Sequence, residues 1–103
     1  MIYISGKITG TDDYLERFNR AENMLSTYSA PIVNPAKVNS MMPMGTTYQQ
    51  YMDMSMCMLR MCDAIYMLDG WRESNGAVLE HQYAKINNYM IFYENYEDKD
   101  MED

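Results

Sequence analysis

The sequence is poor in the residues that build metal sites and disulfide frameworks. It has one histidine and two cysteines among 103 residues. Cys57 and Cys62 lie five positions apart in one predicted helix and face different directions, so we do not expect them to form a disulfide. No Cys-x-x-Cys spacing of a zinc motif is present. We therefore predict no metal and no other cofactor, and two free thiols favour a cytoplasmic location.

Long apolar runs and an excess of basic residues are also missing. Polar residues follow Met1 closely, so no signal peptide is expected, and no run approaches the roughly 18 apolar residues of a membrane span. The net charge is −7, and residues 94–103 hold −5 of it. We expect neither a membrane nor a nucleic acid polymer as partner. Residues 95–103 are predicted to be an acidic, disordered tail behind one domain over residues 1–94.

Short apolar segments alternate with segments of helical periodicity, and apolar residues make up 48% of the chain. A βαβ alternation of this kind favours right-handed crossovers and a parallel sheet. We predict a doubly wound, Rossmann-like or flavodoxin-like α/β domain with four parallel strands in the order 2-1-3-4 and helices on both faces. Strands are expected at residues 2–5, 31–35, 63–68 and 89–93, helices over 14–28, 47–61 and 74–88, and a loop over 36–46.

The segments after the first and third predicted strands are candidates for a binding site. In a doubly wound sheet, ligands bind at the carboxyl ends of the strands where the strand order reverses. Gly6–Gly10 follows the first strand and Asp69–Gly76 follows the third, so both meet at one crevice. The helix that begins near Ser74 would direct amide donors at an anion there. Glycine turns are ordinary in α/β domains, however, and do not identify a site alone.

Four side chains near this crevice have two interpretations each. Glu80 faces either the crevice or solvent, and Tyr3 is either a site residue or strand core. His81 is expected to be a surface or packing residue rather than a base. Trp71 is either a lid over a bound ring or a hydrophobic plug. Position in the sequence does not separate these alternatives.

Read together, the motifs resemble the nucleoside 2-deoxyribosyltransferase superfamily over roughly residues 2–93, most of all a branch of unknown function found in phage and bacterial genomes. They are also similar to 2′-deoxynucleoside 5′-phosphate N-hydrolases. The motifs that carry the resemblance are Tyr3-x-x-Gly6, Val33-Asn34-Pro35, Cys62–Leu68, Gly70-Trp71 and Ser74-x-Gly76-Ala77-x-x-Glu80-x-x-x-Ala84.

The resemblance implies a role for each matching residue. Glu80 matches the nucleophilic glutamate, and Tyr3 matches a tyrosine that positions it. Ser74 matches an aspartate of the transferases, which is a phosphate-contacting serine in the N-hydrolases. The residues expected to bind substrate are Gly6, Lys7, Ile8, Thr9, Gly10, Asp69, Trp71, Ser74, Gly76 and Ala77.

One position departs from the family pattern. An aspartate commonly lies eight residues before Asp63, near the base or leaving group, and here that position is Ser55. The nearest carboxylate, Asp53, is two residues earlier and about 200° around a helix. Protonation of a leaving group is therefore in question.

Three functions follow as hypotheses. The first is cleavage or transfer of the N-glycosidic bond of a nucleoside, or of a nucleoside 5′-monophosphate as Lys7 and Ser74 favour, with Glu80 as the nucleophile. The second is a non-catalytic module that sequesters or senses a nucleotide, which Ser55 favours. The third is a scaffold that uses its methionine-rich helix for interaction and binds no nucleotide.

The predicted helix over residues 47–61 is apolar on more than one face. Its apolar residues include Met52, Met54, Met56 and Met58, and a single four-stranded domain is too small to cover all of them. We predict a homodimer or a higher homo-oligomer that buries this helix. Sedimentation at micromolar protein concentration should give at least twice the monomer mass, and a monomer would contradict the prediction.

Overall fold

One parallel sheet forms the centre of the computed structural model, which describes residues 1–101. Its strands are β1 (Ile2–Ser5), β2 (Ile32–Val33), β3 (Ala64–Met67) and β4 (Met90–Tyr93). Every neighbouring pair is parallel, and the strand order is β2-β1-β3-β4. The predicted four-stranded topology is therefore confirmed. All four residues of β3 are buried, as expected for a strand that is covered on both faces.

Helices cover both faces of the sheet. They are α1 (Tyr14–Leu25), α2 (Pro35–Ser40), α3 (Tyr48–Arg60) and α4 (Asn75–Ile86), with 3-10 helices at Trp71–Glu73 and Tyr96–Met101. On one face, Ile4 and Tyr66 pack with Phe18 of α1 and Ala36 of α2. On the other face, the strand residues Tyr3, Ile65 and Met67 pack with Leu59 of α3 and with Ala77 and Ala84 of α4. No helix within residues 1–101 has the length and apolarity to cross a membrane.

Helix α2 corrects the sequence prediction, which had a loop over residues 36–46. The helix starts because Asn34 is extended and its side-chain oxygen accepts a hydrogen bond from the Ala36 amide at 3.1 Å, while Pro35 occupies the first turn. Six residues give fewer than two turns, so no apolar periodicity marked the segment. The predicted strand over residues 31–35 is shorter in the structure, Ile32–Val33, because Asn34 caps α2 and Pro35 is the first residue of that helix.

Asn34 also fixes α2 against α1. Its buried amide donates hydrogen bonds of 3.0 Å to Asn19 Oδ1 and 3.0 Å to Glu22 Oε1. The same Glu22 oxygen forms an ion pair with Lys37 Nζ of α2 at 2.9 Å. The hydrogen bonds from Lys37 and Asn34 lower the pKa of Glu22 below its ordinary value. One asparagine thus caps a short helix and ties it to a longer one.

Helix α3 begins as its sequence predicts. The Thr47 hydroxyl accepts from the Gln50 amide at 3.1 Å, and Gln50 Oε1 accepts from the Thr47 amide at 2.9 Å, which completes a capping box. Only Ser55 and Leu59 of α3 are buried. The methionines at 52, 54, 56 and 58 are half-buried, so apolar surface remains around the helix. The oligomer stays a prediction.

The acidic segment after β4 contacts the loop that follows β3. Asn95 Nδ2 donates to Asp69 Oδ1 at 3.2 Å, and Asp98 lies 3.9 Å from the Arg72 guanidinium. The 3-10 helix Tyr96–Met101 lies within the segment that the sequence predicts to be disordered. Residues 102 and 103 of that segment lie outside the described residues.

Replacing Asn34 with alanine should destabilise the protein by about 2–4 kcal/mol, because it removes a helix cap and two part-buried hydrogen bonds, one of them to a carboxylate. Urea unfolding measures the change. The matched control is Asn23→Ala at an exposed position of α1, which should change the free energy of unfolding by less than about 0.5 kcal/mol. Equal effects of the two substitutions would contradict the anchoring role of Asn34.

Candidate active site

A buried carboxylate connects β1 to α4. Tyr3 and Ser5 are two residues apart in β1, so their side chains emerge on the same face of the sheet, toward α3 and α4. Glu80 lies in the second turn of α4 and points back at them. The Tyr3 hydroxyl donates to Glu80 Oε2 at 2.5 Å, and the Ser5 hydroxyl donates to Glu80 Oε1 at 2.6 Å. Each carboxylate oxygen is therefore held by its own donor.

Burial dominates the electrostatics of Glu80, whose residue is only 5% exposed. Loss of hydration raises the pKa of Glu80 to about 7 from an ordinary 4.5, although the hydrogen bonds from Ser5 and Tyr3 work in the opposite direction. Among residues 1–101, no cation contributes to this balance. At neutral pH the group is therefore poised between its protonated and ionised forms, as acids, bases and nucleophiles in active sites often are.

The Tyr3 phenol connects Glu80 to α3. Burial raises the pKa of Tyr3 well above its ordinary value, and the neighbouring Glu80 charge adds to the rise. A hydrogen bond from Ser55 of α3 opposes both effects. Tyr3 therefore stays protonated and acts as a donor to Glu80. Ser55, the position that departs from the family pattern, thus supports the tyrosine through a neutral hydroxyl.

A cavity of about 500 Å³ lies above this cluster, at the carboxyl end of β1. Elements from both faces of the sheet line it, including α1, α2, α3 and the start of α4. Its volume falls in the usual range for small-molecule sites, roughly 300–1,000 Å³. The structure brings nine of the predicted site residues to this cavity: Tyr3, Gly6, Lys7, Ile8, Thr9, Ser74, Gly76, Ala77 and Glu80.

One side of the cavity has the features of an anion site. The first turn of α4 begins at Asn75, where the helix dipole and unpaired backbone amides favour negative charge. Ser74 caps this turn by accepting from the Ala77 amide at 3.2 Å. Lys7 lines the same cavity, and its ammonium is 3.8 Å from the exposed Glu73 carboxylate. That contact is loose enough for a bound anion to compete with it.

Gly6 brings the backbone close to the neighbouring strand. A Cβ atom at this position would lie 2.8 Å from Leu68 Cδ1 and 2.9 Å from Leu68 Cβ, which no ordinary packing tolerates. Leu68 is fully buried and cannot move aside freely. Glycine is therefore required where β1 and its following loop pass Leu68.

Three predicted site residues do not line the cavity: Gly10, Asp69 and Trp71. Gly10 is exposed at a turn with φ of 82°. Asp69 accepts a hydrogen bond from Asn95. Trp71 is 2% exposed and lies within the core, where its ring centroid is 4.2 Å from that of His81. His81 is itself buried, and its Nε2 lies 2.8 Å from the Tyr93 hydroxyl, so it packs as expected.

Sequence reasoning missed several residues of the cavity. Ser5 was recognisable, because it shares the strand face of Tyr3 two positions away. The contributions of α2 and of the start of α3 had no local signal, since they depend on how these helices pack above the sheet. The missed residues are Ser5, which donates to Glu80, and several that line the cavity, among them Tyr14, Phe18, Asn39, Tyr48, Tyr51 and Met52. Within residues 1–101, no group of three or more histidine, cysteine, aspartate or glutamate residues is placed to hold a metal ion.

Comparison with protein families gives one match. The model of a family described as "Domain of unknown function (DUF4406)" matches residues 1–93. This range includes all four strands and every residue that lines the cavity. No curated protein and no solved structure matches the chain.

Glu80 should make stability depend on pH. Between about pH 4.5 and 7 the folded protein keeps a proton that the unfolded chain has released, so the free energy of unfolding falls as pH rises through this window. The Glu80→Gln variant lacks the titrating carboxyl group, so this fall in the free energy of unfolding is absent from it. The stability difference between Glu80→Gln and wild type should therefore shift by about 3 kcal/mol in favour of the variant between pH 4.5 and 8.

Urea unfolding of both proteins at several pH values measures this shift. The matched control is Glu73→Gln, the same substitution at an exposed carboxylate at the edge of the cavity. A difference between Glu80→Gln and wild type that does not vary with pH would contradict the raised pKa of Glu80.

Proposed function

The chain belongs to the DUF4406 family, and we propose that this member cleaves or transfers the N-glycosidic bond of a nucleoside or nucleoside 5′-monophosphate, with Glu80 as the nucleophile. One observation carries the proposal. A carboxylate that no cation of the described residues neutralises lies buried beside a cavity of about 500 Å³, and hydroxyl donors of Tyr3 and Ser5 hold both of its oxygens.

The chemistry of N-glycoside cleavage requires such a group. The reaction passes through an oxocarbenium-like state, which a carboxylate beneath the anomeric carbon stabilises. An oxygen of Glu80 would bond to that carbon while the C–N bond breaks and its electron pair leaves with the base, which takes a proton from water. Water, or a second base in a transfer, would then attack the same carbon and release Glu80. The attacking water or base loses a proton to solvent, which balances the proton that the departing base takes up.

Tyr3 and Ser5 would hold the nucleophile in one orientation. Each donates to a different oxygen of Glu80, at 2.5 Å and 2.6 Å, and both donors favour the charged form of the carboxylate. The pairing of Tyr3 with Glu80 agrees with the roles that the resemblance to nucleoside 2-deoxyribosyltransferases implies. We therefore include a relationship to that superfamily in the proposal, with the Tyr3–Glu80 pairing as its support.

The substrate would carry a 5′-phosphate at the start of α4. The cavity there combines the first turn of a twelve-residue helix with the Lys7 ammonium and the Ser74 hydroxyl. A phosphate is an anion that helix N-termini bind well, and Lys7 could exchange its loose contact with Glu73 for it. This side of the cavity favours a nucleoside 5′-monophosphate as the substrate. The reaction that we propose is hydrolysis of this nucleotide in the cytoplasm.

A nucleotide-binding module without catalysis is the second candidate, and the position of Ser55 favours it. Among the described residues that line the cavity, the carboxylates are those of Glu73 and Glu80. Asp53 is exposed, accepts from Gln49 Nε2 at 2.8 Å and does not line the cavity. Helix α3 thus offers no carboxylic acid at the cavity to protonate a leaving base, which slows the departure of poor leaving groups.

Mass spectrometry of free base released from a panel of nucleosides and nucleoside 5′-monophosphates tests the proposal. Wild type should release base from at least one member. Glu80→Gln should lose nearly all turnover and still bind that substrate, because it keeps the shape of the side chain and removes the nucleophile. A slow 2-fluoro-substituted substrate should leave a glycosyl adduct on Glu80.

Tyr3→Phe and Ser5→Ala should retain more activity than Glu80→Gln. Each removes one hydrogen bond to a charged group, which corresponds to roughly 1.5–3 kcal/mol, or about 10- to 150-fold in rate. Glu73→Gln is the matched control for the loss of a carboxylate near the cavity. If wild type and Glu80→Gln bind nucleotides equally and neither releases base, catalysis is rejected and the binding module takes its place.

A further inference from the structure

The segment after β4 is bonded to the loop that leads into the candidate site. This loop, residues 69–74, runs from the end of β3 to the start of α4. The amide of its first residue, Asp69, donates to Glu94 Oε1 at 2.8 Å, and Asp69 Oδ1 accepts from Asn95 Nδ2 at 3.2 Å. The carbonyl oxygen of Asp69 accepts from Arg17 Nη2 of α1 at 2.6 Å. The start of the loop is therefore held from both sides.

A second set of contacts holds the middle of the loop. The Asp98 carbonyl oxygen accepts from Arg72 Nη2 at 3.4 Å, and Asp98 Oδ1 lies 3.9 Å from Arg72 Nε. The Asp98 side chain is only 13% exposed, so the protein covers most of this carboxylate. The Arg72 guanidinium also lies 4.4 Å from the ring centroid of Trp71, which is in the core. Residues 94–98, which we call the strap, thus hold the loop at Asp69 and at Arg72.

The strap lies beside the site without lining it. Residues 94–98 do not line the cavity, and the family match covers residues 1–93. The two residues after Arg72, Glu73 and Ser74, do line the cavity. Ser74 caps the first turn of α4, where the 5′-phosphate of the proposed substrate lies. The strap therefore acts on a ligand through the position of the loop.

We propose that the strap is a positioning element, which holds the loop of residues 69–74 in the form that binds the 5′-phosphate of the substrate. The inference rests on the proposed function and assigns its preference for a monophosphate over a free nucleoside to this loop. If strap contacts are removed, the loop is in place in only a fraction of the molecules, and the apparent affinity for the phosphate falls with that fraction. Glu80 keeps its own two hydrogen bonds to β1, so contacts to the nucleoside part remain.

The test measures the dissociation constants of nucleoside 5′-monophosphates and of their free nucleosides. The common ribonucleoside and 2′-deoxynucleoside pairs are titrated by calorimetry into full-length Glu80→Gln protein, which does not consume them. At least one monophosphate should bind more tightly than its nucleoside. Adding Asn95→Ala together with Asp98→Ala should weaken that monophosphate about 3- to 60-fold, because a hydrogen bond and an ion pair are lost. Binding of its nucleoside should change less than about twofold.

Glu97→Ala is the matched control, because it removes an exposed carboxylate from the strap whose side chain makes no listed contact to the loop. It should leave both dissociation constants unchanged. Loss of an acidic residue by charge alone would strengthen the binding of an anion, so weakening by Asp98→Ala cannot come from net charge. The single substitutions Asn95→Ala and Asp98→Ala serve if urea unfolding finds the double variant unfolded.

Trp71 reports the loop directly, because it is the only tryptophan of the chain and is 2% exposed. Acrylamide should quench its fluorescence weakly in the Glu80→Gln protein, more strongly after the Asn95→Ala and Asp98→Ala substitutions, and weakly again when the monophosphate saturates the variant. Unchanged monophosphate binding, or equal weakening of a monophosphate and its nucleoside, overturns the role of the strap and leaves base release by wild type as the separate test of the proposed function. The role is also overturned if no monophosphate binds more tightly than its nucleoside.

Discussion

The burial of one carboxylate is the constraint on which the rest of the structure depends. Taking Glu80 out of water disfavours its charged form, and Tyr3 and Ser5 recover only part of the lost hydration. These hydroxyls come from the central part of the sheet and the carboxylate comes from a helix 75 or more residues later in the chain. The register between β1 and α4 must therefore be held tightly, because hydrogen bonds of this length tolerate little displacement.

The parallel sheet provides that precision. β1 pairs with β2 on one side and with β3 on the other, and Ser5 lies opposite Met67 in the register with β3. Gly6 then allows the chain to pass the buried Leu68, and the following loop opens over the carboxyl ends of the strands. Strand register, glycine and helix packing thus work together to leave a cavity beside a buried acid. A core packed to its usual density would have filled this space with side chains.

The two sides of the cavity have different chemistry because different connections build them. On the β3 side, a twelve-residue helix begins at the cavity, and the amides of its first turn favour negative charge. On the β2 side, the short helix α2 contributes Asn39, and α3 adds the aromatic side chains of Tyr48 and Tyr51. Such an asymmetric site suits a ligand that is anionic at one end and planar with polar edges at the other. A nucleotide has this distribution of groups.

The sequence by itself determined the sheet topology, three of the four α-helices and most of one side of the site. Apolar runs, capping residues and glycine positions are local signals, so the strands, the Thr47 capping box and the loops near Gly6 and Ser74 were predictable. Tyr3 and Glu80 became a pair only through motif resemblance, because their individual positions also fitted core and solvent.

Tertiary packing alone decided the rest. Helix α2 is too short for its periodicity to be read, so Asn39 could not be assigned to the cavity beforehand. Trp71, expected near the ligand, instead packs in the core against His81. The raised pKa of Glu80 also has no sequence signal. Burial depends on contacts between residues distant in the chain, and local patterns do not contain that information.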